Sequence, residues 1–152
     1  MVHTASVIRL GLPADYPAVA AVYRRASPSN TGDRDRLLAH PEHLMLGPAA
    51  LTEARTYVAD EDGSVVGFAT WIDAGDRTEL DDLFVDPGWT RRGIATALVL
   101  RIVDVLRARS ATCLEVTANP HALGFYRHMG FVETGDAKTE FGTAPRMAFV
   151  IR

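Results

Sequence analysis

Residues 78–95, T-E-L-D-D-L-F-V-D-P-G-W-T-R-R-G-I-A, run from a β-rich segment through a Gly-containing loop into the start of a helix. The β-rich segment, residues 78–85, predicts a strand, and the Pro–Gly pair that follows predicts a loop. Apolar residues then recur every fourth position in a helix that we expect to end near Ser110: Ile94, Leu98, Ile102 and Leu106. Backbone N–H groups of residues 91–96 would be unpaired at the start of this helix, where the helix dipole favours an anion. The stretch therefore predicts a phosphate-binding strand–loop–helix unit; the alternative is that Gly93 only forms a turn.

On both sides of this unit, runs of β-favouring residues alternate with segments whose apolar residues have helical spacing. Before it, the sequence predicts a strand at residues 6–10, a helix with apolar residues at 19, 22, 23 and 26, and a hairpin of strands at 56–60 and 64–73. After it, the sequence predicts a strand at 113–117, a short helix ending near Met129, and last strands near 131–134 and 146–151. Because a helix connects strands 78–85 and 113–117, we expect them to be parallel or splayed neighbours in one sheet.

Composition and charge restrict the classes of protein that the chain can represent. Its 152 residues fit one domain, residues 1–152, and a chain of this size buries about 70% of its unfolded surface. The formal net charge of −3 argues against binding nucleic acid by general phosphate neutralisation. The single cysteine, the absence of a signal-peptide pattern, and the lack of an apolar run of roughly 20 residues predict a cytoplasmic protein without membrane segments. The sequence also allows a homodimer.

Two motifs resemble those of the Gcn5-related N-acetyltransferase (GNAT) superfamily. The family's loop has Arg or Gln, two variable residues, Gly, one variable residue, and then Gly or Ala. This chain matches it with Gly93 and Ala95 and departs from it at Thr90, where Arg91 or Arg92 offers charge to the pyrophosphate instead. The second motif is N-P-H-A-L-G-F-Y-R-H-M-G-F at residues 119–131. The motifs occur in the family's order.

The resemblance implies a mixed α/β fold, with a six- or seven-stranded sheet, helices on both faces and a splayed strand pair. Acetyl-CoA, the co-substrate, would enter the opening between strands 78–85 and 113–117. The resemblance places the following residues against it: Leu83, Phe84, Val85, Arg91, Arg92, Gly93, Ile94, Ala95, Thr96, Asn119 and Tyr126. Asn119 is equally well explained as a helix N-cap before Pro120, and one residue can do both.

Acetyl transfer to an amine requires a base, because an alkylammonium with a pKa of about 10 is protonated at neutral pH. The histone-acetylating branch of the family has its glutamate base at the start of the strand, where this chain has Glu79. Strand alternation places Glu79 and Asp81 on one face, where mutual repulsion raises the pKa of one of them, and points Asp82 the other way. Asp81 or a chain of water molecules is the alternative base. The alternative without a catalytic role is that these carboxylates are solvated side chains at the end of a strand.

The resemblance also assigns a proton donor and an oxyanion site. The family has a tyrosine that protonates the CoA thiolate at the position of Tyr126, and a free main-chain N–H near Val85 would stabilise the thioester oxygen. Adjacent helix residues point about 100° apart, so we expect Phe125 to enter the core and Tyr126 to face the opening. The alternative for Tyr126 is a packed ring with its hydroxyl in water.

The acceptor pocket is predicted to be acidic and aromatic. Glu79, Asp81 and Asp73 would place negative charge near two aromatic candidates, Tyr23 and Trp71, which suits a cationic amine. The substrate-binding candidates are therefore Tyr23, Trp71 and Asp81. The alternative is an acceptor that carries a carboxylate, which would bind if three basic residues lined the same pocket: Arg25, Arg34 and Arg36.

Other reactive side chains have structural explanations. Cys113 lies in a predicted strand, and a small core thiol accounts for it better than a covalent acetyl intermediate. Neither pair of neighbouring histidines has a recognised zinc spacing, so no metal site is predicted: His40 with His43, and His121 with His128.

The favoured function is an acetyl-CoA-dependent N-acetyltransferase that transfers the acetyl group directly, within a ternary complex. A non-catalytic acyl-CoA-binding or sensing module is the first alternative, and it would need neither Glu79 nor Tyr126. An assembly or interaction protein is the second. The presence of both residues favours the enzyme.

Overall fold

The computed structural model describes residues 6–27, 46–139 and 142–152. Four side chains named above lie outside the described residues: Arg34, Arg36, His40 and His43. The described part contains, in chain order, β1 (Val7–Leu10), α1 (Tyr16–Ala26), α2 (Ala49–Thr52), β2 (Thr56–Glu61), β3 (Ser64–Ala74), β4 (Arg77–Val85), α3 (Ile94–Ala108), β5 (Cys113–Thr117), α4 (Leu123–Met129), β6 (Val132–Thr139) and β7 (Gly142–Val150). None of these helices is long and apolar enough to span a bilayer.

The strands form one sheet in the order β1-β2-β3-β4-β5-β7-β6. Neighbours are antiparallel except β4 and β5, which are parallel. The parallel pair meets where Glu79 faces Glu115 and Leu80 faces Val116. β4 continues to Val85 without β5 beside it, so the two strands diverge. The mixed α/β sheet and the splayed strand pair, which the resemblance to the acetyltransferase family implies, are therefore confirmed.

The last two strands are longer than predicted. The sequence placed them near 131–134 and 146–151, whereas β6 extends to Thr139 and β7 begins at Gly142. Residues 135–138 are Gly, Asp, Ala and Lys, which have low strand propensity. They are in a strand because β7 lies between β5 and β6 and pairs with both. Pairing between strands here overrides local preference.

Helices cover both faces of the sheet. The apolar stripe of α3 is buried as its four-residue spacing predicts, with Leu98 and Ile102 fully enclosed. Gly67 of β3 permits this contact, because a Cβ there would lie 3.2 Å from Ile94 Cγ2 and 3.2 Å from the Phe84 carbonyl oxygen. On the other face, Val19 and Val22 of α1 pack with Phe68. This packing fixes the start of α3 beside the opening between β4 and β5.

Candidate active site

A cleft of about 750 Å³ lies between the end of β4, the start of α3 and residues 121–125. The sequence-predicted acetyl-CoA residues that line it are Leu83, Phe84, Val85, Arg91, Gly93, Ile94, Ala95 and Thr96. The strand, the loop and the helix N-terminus thus contribute to one concave surface. Trp89 and Phe125 add aromatic walls, which the sequence analysis did not assign to this surface.

Gly93 shapes the end of the cleft at the start of α3. It is the N-cap residue of that helix and has a φ of +79°, in the left-handed region that favours glycine. Its carbonyl accepts the first helical hydrogen bond from the Ala97 N–H at 3.0 Å, while it has no side chain to cap the N–H groups of the first turn. A Cβ at Gly93 would meet no described atom within 4 Å. Open space beside uncapped N–H groups fits the pyrophosphate of CoA.

The two arginines of the loop are placed differently. Arg91 lines the cleft, whereas the Arg92 guanidinium stacks 4.6 Å from the centroid of the Trp89 ring and borders a neighbouring cavity that shares Trp89, Gly93 and Ile94 with the cleft. Of the two, Arg91 is the one that lines the cleft itself. Thr90 also lines the cleft. The Asn119 side chain caps the helical turn after it by accepting the His121 N–H at 2.9 Å.

A second cavity of about 380 Å³ adjoins the cleft, and we call it the acidic pocket. Leu83, Phe84, His121 and Ala122 border both cavities. The other residues around the acidic pocket are Tyr23, Ser27, Leu80, Asp81, Asp82, Val116, Thr117, Asn119 and Tyr126. A ligand in the cleft and a second ligand in the acidic pocket would therefore have adjoining sites.

A β-bulge in β4 brings two consecutive carboxylates to the acidic pocket. Thr70 of β3 faces Asp82, but Trp71 faces Leu80, so Asp81 is an additional residue in β4. Strand alternation led us to expect Asp81 and Asp82 to point in opposite directions. The bulge interrupts that alternation, and both residues line the acidic pocket. A single sequence carries no clear signal for such a bulge.

The surroundings of both carboxylates favour their protonated forms. Burial raises the pKa of Asp82 to about 7; the charge of Asp81 adds to this, while a hydrogen bond from Thr70 and the charge of Arg55 oppose it. Desolvation also raises the pKa of Asp81, with Arg55 opposing and Glu79 adding to the shift. The repulsion between Glu79 and Asp81 that the sequence predicts is present, but desolvation has the larger effect.

Glu79 is not among the residues that line the acidic pocket. Its carboxylate lies 2.7 Å from the Arg146 guanidinium, which also contacts Glu115 at 3.1 Å and the Thr117 hydroxyl at 2.7 Å. The side chains of Arg146, Glu79 and Glu115 are only 15–21% exposed. The ion pairs connect β4, β5 and β7 where the parallel pairing begins. The sequence analysis missed Arg146, because only the pairing of β5 with β7 brings it to Glu79.

Tyr126 is more buried than the sequence suggested. Its ring is 6% exposed, and its centroid lies 5.1 Å from those of both Phe125 and Phe131. Phe125, expected in the core, lines the cleft, while Tyr126 lines the acidic pocket. The reversal arises because the turn at Gly130 folds Phe131 back onto Tyr126, whose carbonyl accepts the Phe131 N–H at 2.9 Å. Burial raises the pKa of Tyr126 well above its usual value, so its hydroxyl is protonated at neutral pH.

The structure brings Tyr23, but not Trp71, to the acidic pocket. The Tyr23 ring stands edge-on to Phe84 with centroids 5.0 Å apart, and burial raises its pKa, with the charges of Asp82 and Asp81 adding to the shift. Trp71 is buried beneath Arg109, whose guanidinium lies 4.9 Å from the ring centroid, and it borders a different cavity together with Asp73.

Of the three arginines of the basic alternative, Arg25 is the one that lies within the described residues. Arg25 forms an ion pair with Asp86 at 2.6 Å and is not among the residues that line the acidic pocket. Within the described residues, this pocket therefore has an acidic lining with Tyr23 beside it.

Comparison with known proteins gives the family. The acetyltransferase (GNAT) family matches residues 19–131 of the chain. Streptothricin acetyltransferase of Streptomyces lavendulae is 37% identical over 99 residues, which cover 60% of this chain and 52% of that protein. The chain spans about half or less of the length of the curated relatives it matches.

Solved structures share the fold over nearly the whole chain. A GCN5-related N-acetyltransferase from Rhodopseudomonas palustris has a TM-score of 0.76 and 24% identity, with coverage of 99% of this chain and 98% of that one. PaiA N-acetyltransferase from Thermoplasma acidophilum, in complex with coenzyme A, has a TM-score of 0.75 and 17% identity, with coverage of 97% and 99%. Together with the family match over most of the sequence, the sheet and its opening establish that the chain belongs to the acetyltransferase (GNAT) family.

Proposed function

We propose that the chain is an acetyl-CoA-dependent N-acetyltransferase that acts on a primary amine. The observation that carries this proposal is the junction of the two cavities, which share Leu83 and Phe84 as walls. A thioester in the cleft and an amine in the acidic pocket would have adjoining sites, so direct transfer needs no covalent enzyme intermediate. Membership in the acetyltransferase family supports the same chemistry.

The cleft would hold acetyl-CoA by its pyrophosphate and orient the acetyl group. The N–H groups of residues 91–96 and the charge of Arg91 suit the pyrophosphate. The Asp86 N–H donates to Val66 of β3 at 2.8 Å, so the Val85 N–H points away from β3 in this antiparallel ladder. It therefore faces the side from which β5 has diverged. This supports Val85 as the donor that stabilises the thioester oxygen when it gains negative charge.

Tyr126 would assist the departure of the CoA thiolate. Its hydroxyl stays protonated across neutral pH because burial raises its pKa. For the same reason it is a weak acid, so we expect it to donate a hydrogen bond and to release its proton only as the carbon–sulfur bond breaks.

The acceptor is proposed to be a cationic amine. Asp81 and Asp82 attract an ammonium group, and the Tyr23 ring offers an aromatic wall beside them. An anionic acceptor would meet two carboxylates without a compensating arginine among the described lining residues. The homodimer stays a prediction, which sedimentation velocity checks.

An amine screen tests this function. Acetyl-CoA is incubated with the protein and, in turn, with alkylamines, polyamines, aminoglycosides, amino acids, lysine peptides, peptides with free N-termini and streptothricin; thiol release and the acetylated product are both measured. We expect transfer to cationic amines to exceed transfer to amines that carry a carboxylate. Tight acetyl-CoA binding without any acetylated amine would instead support a non-catalytic acyl-CoA-binding module.

A further inference from the structure

We propose that Asp82, rather than Glu79, removes the proton from the acceptor ammonium. This inference rests on the proposed acetyl transfer and assigns the base within the same site. It depends on the position of Asp82, on the buried threonines beside it, and on the charges around it.

Position favours Asp82 over Glu79. Asp82 lines the acidic pocket, and the residues that follow it, Leu83 and Phe84, border both cavities. Tyr126, the proposed donor to the thiolate, lines the same pocket. Glu79 lies before the bulge, where Arg146 holds its carboxylate at the junction of β4, β5 and β7. An amine that reaches the thioester through the acidic pocket would therefore meet Asp82.

Two buried threonines lie beside Asp82. Thr70 of β3 faces Asp82 across the strand pair, and its hydroxyl oxygen lies 3.0 Å from the Thr56 hydroxyl oxygen. Both threonines are almost completely buried. A hydroxyl can donate to an ionised carboxylate and accept from a protonated one, so Thr70 can hold Asp82 in either state. A side chain that must gain and lose a proton without moving needs this kind of partner.

Among the residues that the structure describes, no cation forms an ion pair with Asp82. Asp81 adds negative charge on the same strand, and Tyr23 of α1 and the residues His121 and Tyr126 border the pocket. Arg55 is the cation whose charge acts on both aspartates, but its guanidinium donates to Glu53 at 2.7 Å and to the Trp71 carbonyl at 2.6 Å. An entering ammonium would supply the missing positive charge. The raised pKa of Asp82, about 7, suits a group that accepts a proton near neutral pH.

The Asp82 carboxylate takes one proton from the ammonium and becomes a carboxylic acid. The free amine nitrogen then uses its lone pair to form a bond to the thioester carbon, and the carbonyl oxygen becomes an oxyanion. As the carbonyl reforms, the carbon–sulfur bond breaks, the nitrogen loses a second proton and the sulfur gains one. The net products are an amide, CoA thiol and the proton that Asp82 returns to solvent.

The test compares Asp82→Asn, Asp81→Asn and Glu79→Gln with the parent, using an amine that the screen identifies. We expect Asp82→Asn to lower kcat/KM about 100- to 10,000-fold at neutral pH and to recover toward the pKa of the amine, where free amine no longer needs a base. Asp81→Asn should shift the lower limb of the pH profile to lower pH, because it removes a charge that raises the pKa of Asp82. Glu79→Gln should keep the profile of the parent. Thermal unfolding and the Kd for acetyl-CoA verify that each variant is folded.

A matched pair of small amines gives a second readout. Ethylamine is protonated at neutral pH, whereas 2,2,2-trifluoroethylamine, which is similar in size, is largely free base. We expect the loss in Asp82→Asn to be large for ethylamine and less than about tenfold for the fluorinated amine. A pH profile of Asp82→Asn parallel to that of the parent, or equal losses for both amines, would overturn the assignment of Asp82 but not the acetyl transfer. Absence of transfer by the parent to any amine would overturn both proposals.

Discussion

Asp82 is an ionisable side chain in a place where ionisation is unfavourable. Burial and the neighbouring Asp81 raise its pKa to about 7, and opposing contributions from Thr70 and Arg55 do not restore the usual value. A group whose pKa is raised in the folded protein stabilises the fold below the unfolded-state pKa and loses that contribution as pH rises through the folded value. A partly buried carboxylate with a raised pKa suits a function rather than stability.

The stability of Asp82→Asn should therefore depend on pH. Asparagine keeps the shape and removes the charge, so the variant should gain free energy of unfolding relative to the parent as pH rises from about 4 to about 7. From the shift between 3.8 and about 7, the full effect is on the order of 3–4 kcal/mol. Urea unfolding at pH 4 and at pH 8 measures it. If the free energies of unfolding of variant and parent differed by the same amount at both pH values, the charge of Asp82 would not destabilise the fold.

Tyr126→Phe tests the protonation of the departing CoA thiolate. Only the hydroxyl is lost, and the ring keeps its contacts with Phe125 and Phe131. We expect kcat to fall about 10- to 1,000-fold, while the Kd for acetyl-CoA changes by less than about threefold. Phe125 precedes Tyr126 in the chain and lines the cleft. Phe125→Leu is therefore the matched control, and it should weaken acetyl-CoA binding instead. Unchanged kcat in Tyr126→Phe across the pH range would remove Tyr126 from the mechanism.

Among the elements, β4 determines most of the site. Its first residues pair with β5, its bulge carries Asp81, and its last residues line the cleft without β5 beside them. The β-rich run predicted the strand, and the helical spacing after it predicted α3. The bulge could not be predicted, because it depends on the register with β3 rather than on the residues of β4 alone. For this reason, sequence alternation suggested Glu79 with Asp81, whereas the structure places Asp81 with Asp82.

The junction of β4, β5 and β7 should depend on Arg146. Glu79 and Glu115 face each other across the parallel pair, and both contact this guanidinium. Removing the cation in Arg146→Met would leave two partly buried carboxylates opposed, so the free energy of unfolding should fall by about 2–4 kcal/mol at pH 7.

An exposed arginine is the control for this prediction. Arg107 forms an ion pair with Asp104 on α3, and both side chains are about half exposed or more. Arg107→Met should change the free energy of unfolding by less than about 1 kcal/mol. If urea unfolding gave equal small losses for Arg146→Met and Arg107→Met, the junction would not depend on the buried ion pairs.

For the whole molecule, local patterns predicted the order of the elements, and the resemblance to the acetyltransferase family predicted the opening between two strands. The local patterns succeeded because α3 carries a strong helical periodicity and β4 is a β-rich run that ends at a Pro–Gly pair. The partners of Arg146 and the placement of Trp71 beneath Arg109 depend on contacts between distant segments. Those contacts are properties of the assembled sheet, so a single sequence does not predict them.

Acetyl-CoA is proposed to bind with its pyrophosphate at the start of α3, and substitution of Gly93 tests this placement directly. Gly93 and Gly75 have similar positive φ values, +79° and +73°, and a Cβ at either would meet no described atom within 4 Å. Gly93→Val and Gly75→Val should therefore carry similar backbone strain, but only Gly93 lines the cleft. In calorimetric titrations, we expect the parent and Gly75→Val to bind acetyl-CoA with Kd values in the micromolar range, and Gly93→Val to bind at least about tenfold more weakly. Equal affinity of the two folded variants would contradict the assignment of the cleft.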